Sequence, residues 1–207
     1  MMEEKVLNLA KRIKSISEVG LLYCKNEYDI ERYEELQTIS LELMHLLTGK
    51  PVNVIENFYD TYDDYPTPKV DVRALILNEA QQILLVKESM DGRWSLPGGW
   101  ADIGLSPTEV VLKECKEETG LTVACKHLLA VFDKKCHNHP PQPHYVYKLI
   151  FYCEALTSEI NKGFDVLEVA FFDIDKLPEL SEDRILKSQI ALVYQKLMTN
   201  SFEAMVD

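Results

Sequence analysis

Residues 96–121 read LPGGWADIGLSPTEVVLKECKEETGL, a glycine-rich turn followed by a segment with three closely spaced glutamates near its end. These are Glu114, Glu117 and Glu118, and steps of three and four residues bring them onto one face of a helix. Like charges repel at this spacing, and the negative end of the helix dipole lies at the same end. We therefore expect a positive partner beside this face.

Local signals predict both ends of this helix. Ser106 is placed to cap the start, Pro107 occupies the first turn where a missing N–H is harmless, and Glu109 completes a Ser-x-x-Glu capping box. Gly120 supplies the left-handed residue that ends a helix. The acidic half of the helix is therefore expected to have a defined position.

The turn before the helix lacks side chains at Gly98 and Gly99, so its backbone can approach a ligand or a metal closely. Mg²⁺ prefers hard oxygen ligands and is commonly shared between one or two carboxylates and the phosphates of a substrate. A glycine turn followed by an acidic helix face therefore predicts a magnesium site.

The same stretch resembles the Nudix box, whose family pattern is G-x5-E-x7-R-E-U-x-E-E-x-G-U, where U is a bulky aliphatic residue. The residues that match the pattern are Gly99, Glu114, Glu117, Glu118, Gly120 and Leu121. The resemblance implies an α/β fold, a Nudix-type α/β/α sandwich around a mixed sheet.

Three positions depart from the pattern. Leu105 stands in place of the first glutamate, Lys113 in place of the arginine and Cys115 in place of the aliphatic residue. Lysine keeps the charge but lacks the fork of arginine, whereas a free cysteine behaves as a small apolar residue. Leu105 removes a possible metal ligand or hydrogen-bond partner, and Asp102 is the nearby acid that could compensate.

The resemblance implies hydrolysis of a nucleoside diphosphate linked to another moiety, X, with Mg²⁺ as cofactor and Mn²⁺ as an alternative. It assigns Glu114 and Glu118 as the main metal ligands, with Glu117 as a further candidate and Gly99 offering its carbonyl. Glu114 or Glu117 is the catalytic base, and the two remain alternatives. Lys113 is counted among the catalytic residues, although it lacks the bidentate fork with which the family's arginine would orient a glutamate.

Three residues are candidates for binding the substrate. Arg73 and Lys87 lie on predicted strands and could reach a phosphate, with an ordinary surface position as the alternative for each. Trp100 follows the glycine turn and could stack on a base, whereas Trp94 before it is expected in the core. Arg184 could bind phosphate, although a residue at a helix start without any role in binding is the favoured alternative.

The sequence disfavours a zinc site at one cluster of potential ligands, because their spacing matches no standard pattern. The cluster comprises Cys136, His137, His139 and His144. These residues are expected in a long hairpin loop near the substrate entrance. Glu168 could be an extra catalytic acid, but a surface position at a strand start is favoured.

Hydrophobic periodicity divides the chain into two parts. Helices are predicted at 3–19 and 30–47, the second between Asp29 and Gly49, with a third possible at 52–59. We predict a helical accessory and dimerisation domain at 1–59, a proline-containing linker at 60–68 and a Nudix hydrolase domain at 69–207. A helical unit of this size is marginal alone, so we expect a homodimer.

The second part is predicted to contain strands on both sides of the acidic helix. They are expected at 70–77, 83–87, 123–132, 145–154 and 169–173. Residues 78–82 suit a hairpin turn between the first two strands. A last helix is predicted at 183–197.

Composition excludes several classes of function. The net charge of −12, from 22 basic and 34 acidic residues, argues against binding DNA or an anionic membrane. Five cysteines without a C-x-x-C pair fit a reducing cytoplasm, and we expect a cytoplasmic protein that does not bind a membrane.

Among Nudix enzymes, the helical part and the irregular box most resemble bacterial CDP-choline pyrophosphatases. The predicted substrate is therefore a small nucleotide, CDP-choline first and ADP-ribose second. The alternative is a Nudix-fold sensor that binds a nucleotide derivative without hydrolysis, and its support is Leu105 and Lys113. RNA-end processing also stays open, although no extended basic groove is visible.

Overall fold

The computed structural model describes residues 2–57, 59, 66–102 and 104–207. The chain divides into two compact units, Met1–Pro68 with Pro141–Tyr145 and Lys69–Pro140 with Val146–Asp207. Residues 60–65 of the predicted linker lie outside the described residues.

The helical unit contains α1 (Met2–Tyr23), α2 (Glu27–Thr48) and α3 (Val52–Glu56). Apolar residues of all three helices share its core, namely Leu7, Ala10, Leu41, Met44 and Ile55. Within the described part of the chain, no helix is long and apolar enough to cross a membrane.

The start of α2 differs from the prediction. Asn26 caps the helix, because its side chain accepts a 2.9 Å hydrogen bond from the Tyr28 N–H, and the helix therefore begins before Asp29. The predicted end is confirmed, since Gly49 adopts a left-handed conformation with φ of 67°. The third helix is shorter than predicted and ends at Glu56.

The α/β unit has eight strands and two α-helices within its described residues. In chain order these are β1 (Lys69–Ile76), β2 (Ile83–Glu88), β3 (Trp94–Ser95), β4 (Gly98–Trp100), α4 (Pro107–Thr119), β5 (Val123–Asp133), β6 (Val146–Ala155), β7 (Val166–Phe172), α5 (Lys187–Met198) and β8 (Met205–Val206). The predicted strands are present, with shifted ends, whereas β3, β4 and β8 were not predicted.

The strands form two sheets, and this confirms the predicted α/β class with a mixed sheet. The larger has the order β4-β1-β6-β5-β8, and the smaller the order β3-β2-β7. In the larger sheet β1 is parallel to β6 and β5 to β8, while the other pairs are antiparallel. One apolar cluster includes residues of both sheets and α5, and another includes residues of α4.

The turn at 78–82 is confirmed, but it does not join a regular hairpin. It closes on the antiparallel bridge between Leu77 and Ile83, after which β1 and β2 continue in different sheets. Leu75 of β1, in the larger sheet, and Leu85 of β2, in the smaller sheet, are buried in the same apolar cluster. The side chains of this cluster form an interior layer between the two sheets.

The last helix begins at Lys187, not at residue 183 as predicted. The residues before it form a turn, in which the N–H groups of Arg184 and Ile185 donate to the Ser181 carbonyl. Ser181 is itself attached to the smaller sheet, because its N–H donates a 2.7 Å hydrogen bond to the Trp94 carbonyl. This attachment holds Arg184 beside β2 and β3.

Candidate active site

The ends of α4 are those that the sequence predicts. The Ser106 hydroxyl accepts from the Glu109 N–H, and the Glu109 carboxylate accepts from the Ser106 N–H at 2.7 Å, so the capping box is closed. Gly120 ends the helix in a left-handed conformation with φ of 75°. The acidic end of α4 is therefore defined by local chemistry.

A loop after β6 binds the carbonyls at the C-terminal end of α4. The Asn161 N–H donates to the Thr119 carbonyl at 2.9 Å, and the Gly163 N–H donates to the Glu118 carbonyl at 3.0 Å. A Cβ at Gly163 would lie only 2.2 Å from the Glu117 carbonyl oxygen. This close packing satisfies carbonyls that a free helix end leaves to water.

The three glutamates of α4 differ sharply in burial. Glu118 is 4% exposed. The side chain of Glu114 is 15% exposed, and that of Glu117 is 54% exposed. The helix face therefore runs from solvent at Glu117 to the interior at Glu118, and the three carboxylates can serve different roles.

Gly98 joins the glycine turn to the buried end of this face. Its N–H donates a 2.8 Å hydrogen bond to Oε2 of Glu118. Its φ of 140° belongs to glycine, and a Cβ would lie 2.0 Å from the Val72 carbonyl oxygen. The absence of a side chain thus lets β4 pair with β1 while its amide reaches the carboxylate.

Gly99 brings the backbone close to the second carboxylate. A Cβ at Gly99 would lie 3.1 Å from Oε2 of Glu114. The structure therefore places Gly98, Gly99, Glu114 and Glu118 together, as the sequence predicts. This group provides hard oxygen donors next to an open backbone.

Burial disfavours the charged forms of both inner glutamates. It raises the pKa of Glu118 to about 8, although the positive charge of Arg73 and the Gly98 N–H oppose the change, while Glu88 and Glu114 add to it. Burial also raises the pKa of Glu114, opposed chiefly by Lys113. A cation between them would stabilise both carboxylates.

Lys113 connects the loop before α4 to the exposed part of its acidic face. Its Nζ donates a 2.8 Å hydrogen bond to Oδ2 of Asp102 and lies 3.5 Å from Glu117 and 3.9 Å from Glu114. Leu105 is 38% exposed. Asp102 thus provides an acidic partner for Lys113 from the loop in which Leu105 replaces the expected glutamate.

Arg73 lies inside the domain and not on its surface. It is 4% exposed, forms a 3.0 Å ion pair with Asp71, and donates to the Leu96 carbonyl at 3.0 Å and to the Ser95 hydroxyl at 3.2 Å. These last two residues lead directly into the Gly98 turn. Arg73 therefore supports the turn from below and contributes positive charge near Glu118.

Glu88 is a component of the site that sequence reasoning missed. It ends β2, and its Oε1 lies 3.1 Å from Nε of Arg184 and 3.6 Å from Nη1 of Arg73. Burial raises its pKa, and its charge in turn raises that of Glu118. The available signal was an acid at the end of a strand whose first four residues are apolar. Arg184, a candidate for phosphate binding in the sequence, instead pairs with Glu88.

The comparisons with known proteins agree with this geometry. Residues 67–192 match the model of the NUDIX domain, and residues 4–59 match the model described as "UDP-X-like, N-terminal oligomerisation domain". The chain belongs to the Nudix family. This protein is a Nudix hydrolase of the pyrophosphatase type.

Two relatives of this Nudix hydrolase match 94% and 59% of the chain. A Bacillus subtilis (strain 168) protein named "Putative ADP-ribose pyrophosphatase YjhB" is 44% identical over 195 residues, which cover 94% of this chain and 93% of that protein. An ADP-ribose pyrophosphatase of Methanocaldococcus jannaschii is 35% identical over 125 residues, 59% of this chain and 72% of that protein.

Two solved structures are similar as well. The crystal structure of a UDP-X diphosphatase has a TM-score of 0.63 and 33% identity, and it covers 98% of both chains. An ADP-ribose pyrophosphatase from Streptococcus suis 89-1591 has a TM-score of 0.62 and 38% identity, with 68% of this chain and all of that chain covered.

The other predicted substrate contacts of the Nudix hydrolase lie on its strands. Lys87 is on β2, 3.9 Å from Oε2 of Glu168 and 5.9 Å from the centre of the Trp94 ring. Trp94 is 8% exposed and packs edge-on against Phe172, which confirms its predicted core position. Trp100 is 51% exposed on β4, next to Gly99.

The residues weighed for zinc have other surroundings. His137 Nε2 lies 2.9 Å from an Asp207 carboxylate oxygen, and His139 Nδ1 lies 2.6 Å from the Glu182 carbonyl. His144 belongs to the helical unit. Across the described ranges, no group of three or more His, Cys, Asp or Glu side chains is arranged to hold a metal.

Proposed function

We propose that this Nudix hydrolase cleaves the pyrophosphate bond of a nucleoside diphosphate linked to a second moiety, X, and uses Mg²⁺ for the reaction. The observation that carries the proposal is the pairing of a buried Glu118 with a partly buried Glu114 beside the open backbone of Gly99. One buried and one partly buried carboxylate beside an open backbone carbonyl are suited to a divalent ion.

The donor set fits Mg²⁺ without a larger cluster. This ion is usually held by one or two carboxylates together with water and substrate phosphates, so a cage of three acidic side chains is not required. We assign Glu114, Glu118 and the Gly99 carbonyl as the groups that would hold it. When bound, the ion would neutralise phosphate charge and lower the pKa of a coordinated water.

Exposure favours a separate role for Glu117, which was a candidate both as a metal ligand and as the base. Its side chain is 54% exposed, so it can meet an attacking water at the mouth of the site. Lys113 lies 3.5 Å from its carboxylate and can hold it in position. We therefore assign Glu117 as the base, with Glu114 as the alternative, and Lys113 as its positioning residue.

The remaining candidates act on the substrate and on the site itself. Trp100 can stack on the base of the nucleotide, since it is half exposed beside the glycine turn. Lys87 is a candidate phosphate contact at the edge of β2. Arg73 keeps its proposed role toward phosphate only indirectly, through the charge that it adds near Glu118 and the support that it gives to the turn.

The identity of X is best tested in the order that the relatives suggest. Their names refer to ADP-ribose and UDP-X, so we place ADP-ribose and UDP-linked compounds before CDP-choline, which the sequence alone placed first. All three share the pyrophosphate linkage on which the proposed chemistry depends.

The experiment is a panel of these compounds incubated with the protein and Mg²⁺ or Mn²⁺, with products separated and identified. We expect two phosphate-bearing products from at least one compound and no reaction when the metal is chelated. Failure to cleave any compound with either metal would contradict the proposal. Tight binding without turnover would favour a nucleotide sensor instead.

We also propose a homodimer formed through the helical unit, with domains at 1–59 and 69–207 joined by a linker at 60–68. The support is the match of residues 4–59 to an oligomerisation domain and the exposure of apolar side chains on its helices. Leu9 is 51%, Ile16 55% and Leu46 76% exposed. Light scattering during size-exclusion chromatography would measure the mass. The cytoplasm stays the predicted compartment.

A further inference from the structure

Lys148 is a fully buried cation within the larger sheet of the α/β unit. It is 1% exposed and lies on β6 opposite Asp71 of β1, to which its Nζ donates a hydrogen bond. Two residues along β6, Ile150 belongs to the apolar cluster shared by both sheets. Since side chains two apart share a face, Lys148 points into this interior layer.

Lys148 has more N–H donors than the hydrogen-bond acceptors described around it. An ammonium group has three N–H donors. Among the described residues its hydrogen-bond acceptor is the carboxylate of Asp71, which Arg73 also binds. Buried donors are usually satisfied, so the two further N–H groups favour an additional acceptor from a ligand.

His139 presents a complementary group. Its Nδ1 lies 2.6 Å from the Glu182 carbonyl, and because a carbonyl only accepts, Nδ1 carries the proton. Nε2 of the neutral ring is then an acceptor, and it is buried without a hydrogen-bond partner among the residues that the structure describes. The ring therefore offers a place for a hydroxyl donor.

Further cations surround these two residues. Lys134 follows β5, is 9% exposed and donates to the Asp183 carbonyl. Burial lowers the pKa of His139 to about 4, and the charges of Lys134 and Lys148 add to this effect. Burial, with Arg73 and Arg184, lowers the pKa of Lys148 to about 8.

Acidic partners balance part of this charge. Asp71 binds Arg73 and Lys148, Glu88 pairs with Arg184 and Arg73, and Asp91 pairs with Arg184. Lys148 shares the carboxylate of Asp71 with Arg73, and this excess of donors over that acid favours an anionic ligand over a quaternary ammonium.

We propose that Lys148, Lys134 and His139 form a subsite for the phosphorylated, hydroxyl-bearing moiety X of the substrate. Lys148 and Lys134 donate to phosphoryl oxygens, and Nε2 of His139 accepts from a hydroxyl group. The subsite rests on the proposed function and narrows it: X is a sugar phosphate and not choline phosphate, whose cationic end carries no hydroxyl.

The test uses the full chain in the presence of a chelator, so that a metal bound by Glu114 and Glu118 cannot contribute to phosphate binding. Ribose 5-phosphate, phosphocholine and inorganic phosphate are titrated while the thermal unfolding midpoint and the heat of binding are recorded. We expect ribose 5-phosphate to bind at least about tenfold more tightly than phosphocholine. Equal binding of the two, or no binding of ribose 5-phosphate, would overturn the proposal.

Variants identify the residues. Lys148→Met retains the shape of the side chain and leaves Asp71 paired with Arg73, and we expect it to weaken ribose 5-phosphate binding about tenfold. Lys126→Met removes an exposed lysine of β5 that pairs with Glu154, and it should bind as the native protein does. If Lys148→Met bound ribose 5-phosphate normally, the assignment would be wrong.

A second variant tests the subsite even if Lys148→Met fails to fold. His139→Phe should reduce the preference for ribose 5-phosphate over inorganic phosphate, because the hydroxyl acceptor is lost while the lysines remain. An unchanged preference would exclude His139 and with it the proposed subsite. None of the probes contains a pyrophosphate bond, so these results do not depend on hydrolysis. Binding by a protein that cleaves no substrate would refute the proposed reaction and retain the subsite.

Discussion

The backbone N–H of Gly98 donates a 2.8 Å hydrogen bond to the carboxylate of Glu118, twenty residues further along the chain. This bond joins the glycine turn to the acidic end of α4, the two features that define the site. It also supplies partial positive charge to a carboxylate that burial would otherwise favour in its neutral form.

Replacing Gly98 by alanine should destabilise the protein. The new Cβ would lie 2.0 Å from the Val72 carbonyl oxygen, and φ of 140° is strained for alanine. We expect a loss of about 2–4 kcal/mol in the free energy of unfolding, measured by urea denaturation. Gly92→Ala is the control, because Gly92 also has a positive φ, of 67°, but has open space around its Cβ position. Equal losses in both variants would argue against the clash.

Glu118→Gln should reduce turnover of the best substrate at saturating Mg²⁺ by about 100-fold or more, since it removes a charged metal ligand with little change in shape. The variant should retain its circular dichroism spectrum. Glu203→Gln changes an exposed acid near the C-terminal end and should leave turnover unchanged. A fully active Glu118→Gln would remove this residue from the metal site.

The stability of the metal-free protein should depend on pH through Glu118. The folded state raises the pKa of Glu118 from an ordinary value of 4.5 to about 8, so it binds the proton more tightly than the unfolded chain does. The resulting stabilisation is complete below pH 4.5 and is lost as the pH rises toward 8.

Glu118→Gln has no such proton to lose. The native protein should therefore lose stability relative to the variant as the pH rises from 5 to 8. The difference between their free energies of unfolding should change by as much as about 1.4 kcal/mol per pH unit. Denaturant titrations at several pH values with chelator present would measure this difference. Glu117→Gln provides an exposed control on the same helix, and a constant difference for Glu118→Gln would contradict the burial argument.

Leu105→Glu should raise kcat/KM by less than about threefold. Lys113 already has an acidic partner in the loop, Asp102, at 2.8 Å, and a second acid would add an exposed ion pair of small value. Asp102→Asn should lower kcat/KM, and addition of Leu105→Glu to that variant should restore part of the loss. A large rise in the single Leu105→Glu variant would mean that Asp102 does not compensate.

The sequence determined the local features because their causes are local. Ser106 and Glu109 close the capping box, and Gly120 ends the helix, within a few residues of one another. Strands on both sides of the acidic helix and the core position of Trp94 were likewise predicted from periodicity and residue type. The start of α5 was not, because the turn before it depends on a bond from Ser181 to the distant Trp94 carbonyl.

Only the tertiary structure decided how the charged residues are used. The sequence placed Glu114, Glu117 and Glu118 on one helix face, but packing against the turn buried one and left another in solvent. It could not show that Glu88 pairs with Arg184 or that Lys148 pairs with Asp71, because these partners come from separate elements of the chain. Spacing along a helix is set by backbone geometry, whereas burial and charge pairing arise from elements that meet only in the folded chain.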